Sequence, residues 1–276
     1  MPTVTTATGV SLNYTDTGGD GRPLVLIHGW PLSGEAFARD IPVLEDAGHR
    51  VITYDRRGFG MSDKPDGGYD YDTLADDLKS LLDELDLRGA VLLGFSMGGG
   101  EVARYLGRYG SERVAGAIFS GSVTPALCIT DDNPDGAMPM EGFQGLADQC
   151  RDDRDAFLEK FIGWFYSTQE RGLQVGDDVR LAALEIARQS DPRAAVETIL
   201  IWGTDLRDDC RAIDVPTLVI HGDGDINVPI SKSSERMHQF IPQSQLAVIE
   251  GGPHGVNDSH AREWNMDVLD FMETLD

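Results

Sequence analysis

The stretch Leu92-Leu93-Gly94-Phe95-Ser96-Met97-Gly98-Gly99-Gly100 runs an apolar segment into G-x-S-x-G, and a helical pattern from Glu101 to Tyr109 follows at once. A strand, a tight turn and a helix are the setting in which this motif holds a reactive serine. The reason is steric. The turn must push the Ser96 hydroxyl out at the end of a sheet, so strand and helix have to approach closely. Gly94 and Gly98 remove the side chains that would keep them apart. The start of the helix adds a positive dipole beside the serine, where a developing oxyanion would sit.

On either side of this stretch, short apolar runs alternate with amphipathic ones. Val10 to Tyr14, Pro23 to Ile27, Arg50 to Tyr54, Ala90 to Gly94, Val114 to Phe119, Pro216 to Ile220 and Gln245 to Ile249 read as strands. Most are continuous rather than alternating, which predicts parallel strands covered on both faces. Tyr71 to Leu87 repeats leucine at helical spacing, and Ser259 to Leu275 is also helical in pattern. The alternation predicts an α/β fold with a mostly parallel central sheet and helices on both faces. One segment departs from it: residues 125–206 contain no convincing strand. They are expected to form a helical cap inserted into a core of residues 1–124 and 207–276.

Two further turns should carry chemistry. After Pro23 to Ile27 comes His28-Gly29-Trp30-Pro31. In this architecture one oxyanion donor is the amide after the nucleophile, Met97, and the other lies on this loop, Trp30. Pro31 has no N–H and can only shape the loop beside the acyl group. His28 reads as a bracing residue. After Pro216 to Ile220 comes His221-Gly222-Asp223-Gly224-Asp225. Two aspartates compete here. Asp223 could merely cap the turn, whereas Asp225 lies further round, where it could reach an imidazole. Of the six histidines, His254 in Gly252-Pro253-His254-Gly255 is the one framed by glycine and proline in a loop after the last strand. The order serine, acid, histidine is the expected one. His260 begins a helix and reads as structural. In Asp55-Arg56-Arg57-Gly58, a turn held by a charge pair of Asp55 and Arg57 is expected. Phe157, Phe161, Trp164 and Phe165 share one helix face, which can pack the cap on the core and line a pocket.

Composition excludes several classes. Lys and Arg number 23 against 47 Asp and Glu, a formal net charge of -24, which repels nucleic acid and anionic membranes. Charge of this size favours a host with molar salt, where screening shortens to about 3 Å. No apolar run reaches the roughly 20 residues of a membrane helix, and Met1 to Asp16 lacks the pattern of a signal peptide, so a cytoplasmic protein is expected. Cys128, Cys150 and Cys210 match no metal motif and are expected as free thiols. No cofactor and no metal are expected.

HGWP at His28, YDRRGFGMSDKP at Tyr54, GFSMGGGEVARY at Gly94, FIGWFYS at Phe161, HGDGD at His221 and PHG at Pro253 together resemble the cofactor-free haloperoxidases. These form a group of α/β-hydrolases that also includes perhydrolases and aryl esterases. The likeness spans nearly the whole chain. It implies Ser96 as nucleophile, Asp225 as the acid and His254 as the base, with the Trp30 and Met97 amides as oxyanion donors. It also implies an acyl-enzyme on carboxylic esters or acids that water or hydrogen peroxide resolves. Pro31 resembles the perhydrolysing members. Pro31, Phe161, Trp164 and Phe165 are the expected pocket residues. A carbon–carbon bond or lactone hydrolase on the same triad, or a slow-turnover receptor, are the alternatives. A homo-oligomer is compatible with all of these.

Overall fold

A computed structural model describes residues 2–275; Met1 and Asp276, the outer ends of the expected core segments, lie outside the described residues. Strand β1 (Thr3–Thr5) pairs antiparallel with β2 (Ser11–Asp16), and β2 pairs antiparallel with β4 (Arg50–Tyr54). From β4 onward the sheet is parallel, through β3 (Pro23–Ile27), β5 (Ala90–Phe95), β6 (Val114–Ser120), β9 (Thr217–Gly222) and β10 (Gln245–Ile249). The order β1-β2-β4-β3-β5-β6-β9-β10 makes the chain step outward from β3 to β4, then cross back over β3 to reach β5. A reversal of this kind opens a crevice at the carboxyl ends of β3 and β5. Trp30 follows β3 and Ser96 follows β5, so both stand at that crevice.

Helices α1 (Ile41–Asp46), α2 (Tyr71–Glu84) and α3 (Met97–Tyr109) connect the first parallel strands. Helix α2 starts where Asp70 accepts a hydrogen bond from the Thr73 amide at 2.9 Å. It buries Leu74, Leu78, Leu81 and Leu82, the spacing expected of one helix face. Between β6 and β9 lie α4 (Met140–Asp152), α5 (Arg154–Phe165), α6 (Asp177–Arg188), α7 (Pro192–Ile201) and α8 (Arg207–Arg211). Asp191 caps α7 through the Arg193 and Ala194 amides, with Pro192 in the first turn. The core cluster that begins on the sheet continues without a break into α4, α5 and α7, through Trp30, Phe143, Phe157, Phe161 and Ile199. The segment therefore packs on the sheet rather than standing apart from it. Helix α9 (Ser234–Met237) follows β9, and α10 (Val256–Ser259) and α11 (Ala261–Glu273) close the chain.

Several expectations need correction. The segment expected to lack strands holds a two-residue ladder, β7 (Ser167–Thr168) with β8 (Gly172–Leu173). The terminal helix is broken at His260, which leaves helical dihedrals (φ -126°, ψ 41°). Strand β10 is not covered on both faces. It is the sheet edge, with Leu246 45% and Val248 50% exposed. Arg57 does not pair with Asp55. It pairs with Asp77 of α2 at 2.6 Å, while Asp55 accepts from the Gly34 and Met61 amides and from Asn13. The turn is held by backbone donors on one carboxylate, not by an ion pair within the loop.

Candidate active site

Ser96 sits at φ 54° and ψ -119°, one of two non-glycine residues with positive φ among those described. The strain is that of a sharp strand-to-helix turn. A Cβ on Gly94 would lie 2.5 Å from the Gly98 carbonyl oxygen, and one on Gly98 would lie 2.4 Å from that of Ile27. Both glycines are required by contact with backbone, as the motif predicts.

Asp225 and His254 reach Ser96 from the ends of β9 and β10. The His254 Nδ1–H donates to Asp225 Oδ2 at 2.6 Å, and His254 Nε2 lies 2.9 Å from Ser96 Oγ. With Nδ1 committed to the carboxylate, Nε2 is the acceptor of the Ser96 hydroxyl proton. All three residues are buried, at 6%, 6% and 1% exposure for Ser96, Asp225 and His254. Asp225 Oδ1 accepts from the Asn227 and Val228 amides at 2.8 and 2.9 Å. Burial alone would raise the Asp225 pKa. The hydrogen bonds it accepts from His254 and His221 outweigh burial and hold the carboxyl well below the usual carboxylate range. Asp223 instead accepts from the Gly251 amide at 2.6 Å, the turn-capping role open to it. The Phe95 and Phe165 rings flank the imidazole, with centroids 5.2 and 4.9 Å away. The Gly255 amide donates to Phe165 O at 2.9 Å, fastening the histidine loop to the end of α5.

Met97 opens α3, so its N–H has no carbonyl one turn earlier to bond. The loop bearing Trp30 passes against Ser96: a Cβ on Gly29 would lie 2.9 Å from Ser96 Cβ. The Trp30 indole N–H donates to Ala195 O at 3.0 Å, tying this loop to α7. His28 is a brace. Its Nε2 accepts from the Arg56 amide at 3.0 Å, and burial lowers its pKa well below the ordinary value, keeping it neutral. Arg56 also pairs with Glu101 of α3 at 2.8 Å, both almost fully buried. Sequence reasoning missed that pair, since 45 residues separate its members.

An apolar cavity of about 150 Å³ opens at Ser96 and His254. Phe161 and Trp164 line it, joined by Leu127, Phe143 and Trp202, which sequence reasoning did not single out. Phe165 does not line it but packs edge-on against His254. Pro31 is buried in its loop, outside the lining. A larger groove of about 520 Å³, behind Tyr166 and beside α6, contains neither Ser96 nor His254. The three cysteines are buried and free, and burial pushes Cys150 up to about 11, so it is no competing nucleophile at neutral pH. Among the described residues no three His, Cys, Asp or Glu side chains gather as a metal site requires, and no helix is long and apolar enough to cross a membrane.

A family model described as alpha/beta hydrolase fold matches residues 22–261. The chain belongs to the α/β-hydrolase fold family. Within it, this hydrolase is 40% identical over 275 residues to a non-heme chloroperoxidase of Kitasatospora aureofaciens, covering 99% of both chains. It is 34% identical over 277 residues to a bifunctional esterase/perhydrolase of Acinetobacter calcoaceticus, covering 99% of this chain and 100% of the other. Among solved structures, a bromoperoxidase from Bacillus anthracis shares 42% identity and a TM-score of 0.93 over 99% of both chains.

Proposed function

We propose that this hydrolase cleaves carboxylic esters through an acyl-enzyme on Ser96, and that hydrogen peroxide can replace water in resolving it. The observation that carries the reading is the unbroken hydrogen-bond chain Ser96–His254–Asp225 at the mouth of an apolar cavity. His254 Nε2 takes the Ser96 proton as Oγ attacks the carbonyl carbon. The Met97 and Trp30 amides stabilise the oxyanion, and Asp225 stabilises the imidazolium. His254 then protonates the departing alkoxide. Water attacking the acyl group yields the carboxylic acid; peroxide yields the peracid, and either returns the proton to Ser96. A peracid can oxidise halide and revert to the acid, which fits relatives named for halide oxidation as well as for esterase and perhydrolase activity.

In this reading residues 125–206 act as the cap over the crevice, with Phe161 and Trp164 as acyl contacts. The free thiols fit a reducing compartment such as the cytoplasm, and the net charge of -24 fits a host with molar salt. The test is steady-state hydrolysis of short-chain nitrophenyl esters, with peracid formation measured from the same acyl donors and peroxide. Both activities should disappear together in Ser96→Ala. Peracid formation that survives the substitution would contradict the acyl-enzyme route.

A further inference from the structure

The Asp225 carboxylate touches a second histidine. His221, fully buried at the end of β9, places Nε2 3.1 Å from Asp225 Oδ2, the same oxygen that His254 uses. His221 Nε2 also lies 2.8 Å from Val228 O, and its Nδ1 lies 2.6 Å from Ser234 Oγ. These contacts decide where the ring hydrogen is. Nε2 faces two acceptors, a carbonyl and a carboxylate, so it must carry a hydrogen; a lone pair there would face two others. In the neutral ring Nδ1 is then an acceptor, and the Ser234 hydroxyl donates to it. Ser234 is 2% exposed, so no bulk water substitutes for it.

We propose that His221, held in this tautomer by Ser234, is a positioning residue for the triad, forming an extended chain Ser234–His221–Asp225–His254–Ser96. The proposal rests on the triad reading above. His221 has two effects on Asp225. It fixes Oδ2 from a direction the two backbone amides do not supply, since those bind Oδ1. It also draws on the same oxygen that accepts from His254, which weakens the carboxylate's hold on the imidazolium. Other charged groups near these loops are Asp223, Glu250, Glu170 and Arg171 around the groove beside Asp225, Lys232, Glu235 and Arg236 flanking Ser234 in the chain, and Asp258, which Tyr166 engages behind Gly255. None of them bonds the Asp225 carboxylate.

The experiment compares wild type, His221→Leu, His221→Gln and Ser234→Ala, with folding checked by circular dichroism. The first readout is the low-field NMR resonance of the His254 Nδ1 proton, which needs no substrate. It should move downfield in His221→Leu, because the competing donor on Oδ2 is gone, and return towards wild type in His221→Gln, whose amide keeps an N–H there. The second is the pH profile of kcat/KM on a nitrophenyl ester. In His221→Leu its acid limb should move up by roughly half a pH unit or more, a fraction of one charged hydrogen bond. The rate at the plateau should fall about 10-fold to 100-fold, mainly in kcat, as outer partners of a site typically cost. Ser234→Ala should shift both readouts in the same direction by less. An unmoved proton resonance in folded His221→Leu overturns the proposal, as does equal loss in the leucine and glutamine variants. Failure of the ester reading is distinct: wild type would then lack turnover while the NMR comparison still decides His221. Should His221→Leu not fold, Ser234→Ala carries the same NMR test.

Discussion

Arg56 and Glu101 form a buried ion pair, 2.8 Å apart, that joins the loop after β4 to the first turns of the helix beginning beside Ser96. Tyr54 donates to the same carboxylate, and Arg56 donates to His28 O at 2.8 Å. The pair thus links the helix after Ser96 to the loop bearing His28 and Trp30. Burial pushes the Glu101 carboxyl up and Arg56 down to about 10, so the pair depends on mutual attraction and these extra bonds. Removing one member leaves a charge uncompensated. Glu101→Ala should cost about 3–5 kcal/mol in denaturant unfolding, and Arg56→Met with Glu101→Leu should cost less than the single change. A single change with no measurable loss would show that the pair does not stabilise the fold.

Asp40 gives a pH dependence of the opposite sign to a paired carboxylate. Burial pushes its pKa up to about 7, against the bonds it accepts from Asn257 and Asn265 at 3.1 and 3.0 Å. Below the unfolded value near 3.8 both states are protonated. Between there and about 7 only the folded state holds the proton, so this group's contribution to stability declines as pH rises through that window. Thermal unfolding between pH 4 and 8 should show a decline that Asp40→Asn flattens. An unchanged slope would contradict it.

The Ser96 cavity is small, and Trp164 forms part of its wall while remaining partly exposed. Trp164→Ala should enlarge it at modest cost in stability. The ratio of kcat/KM for octanoyl over acetyl nitrophenyl esters should rise about tenfold, the low end of what one methylene gaining a hydrophobic contact contributes. An unchanged ratio would show that the acyl chain lies elsewhere.

Salt should stabilise the protein. A net charge of -24 repels itself over about 10 Å at 0.1 M salt and about 3 Å at 1 M. Melting temperature and turnover should both rise between dilute buffer and molar KCl. Full stability and activity in dilute buffer would count against a salt-adapted protein.

Legibility in the sequence followed the range of the interaction. The tight turn at Ser96 was legible because residues two positions away set it, and the loop at His254 because glycine and proline frame it. Asp223 and Asp225 could not be separated by local pattern. The family resemblance points to Asp225, and the ends of β9 and β10 bring Asp223 to the Gly251 amide and Asp225 to the imidazole. Arg57 was given a neighbour as partner, while its true partner, Asp77, is one element further on. The run Gln245 to Ile249 reads as a covered strand, because an apolar run does not reveal whether a strand lies at the centre or the edge of a sheet. Phe161, Trp164 and Phe165 share a helix, yet only the first two face the cavity; the third turns to His254. The role of His221 is not legible locally, because its tie to Ser234 spans 13 residues.

The most direct measurement is peptide mass mapping of protein mixed with a nitrophenyl acyl ester and quenched in acid within the first turnover. An acyl mass should appear on the peptide containing Ser96, be absent from Ser96→Ala, and be discharged faster when peroxide is added before the quench. Ester turnover with the acyl group on another residue, or turnover that persists in Ser96→Ala, would contradict an acyl-enzyme on Ser96.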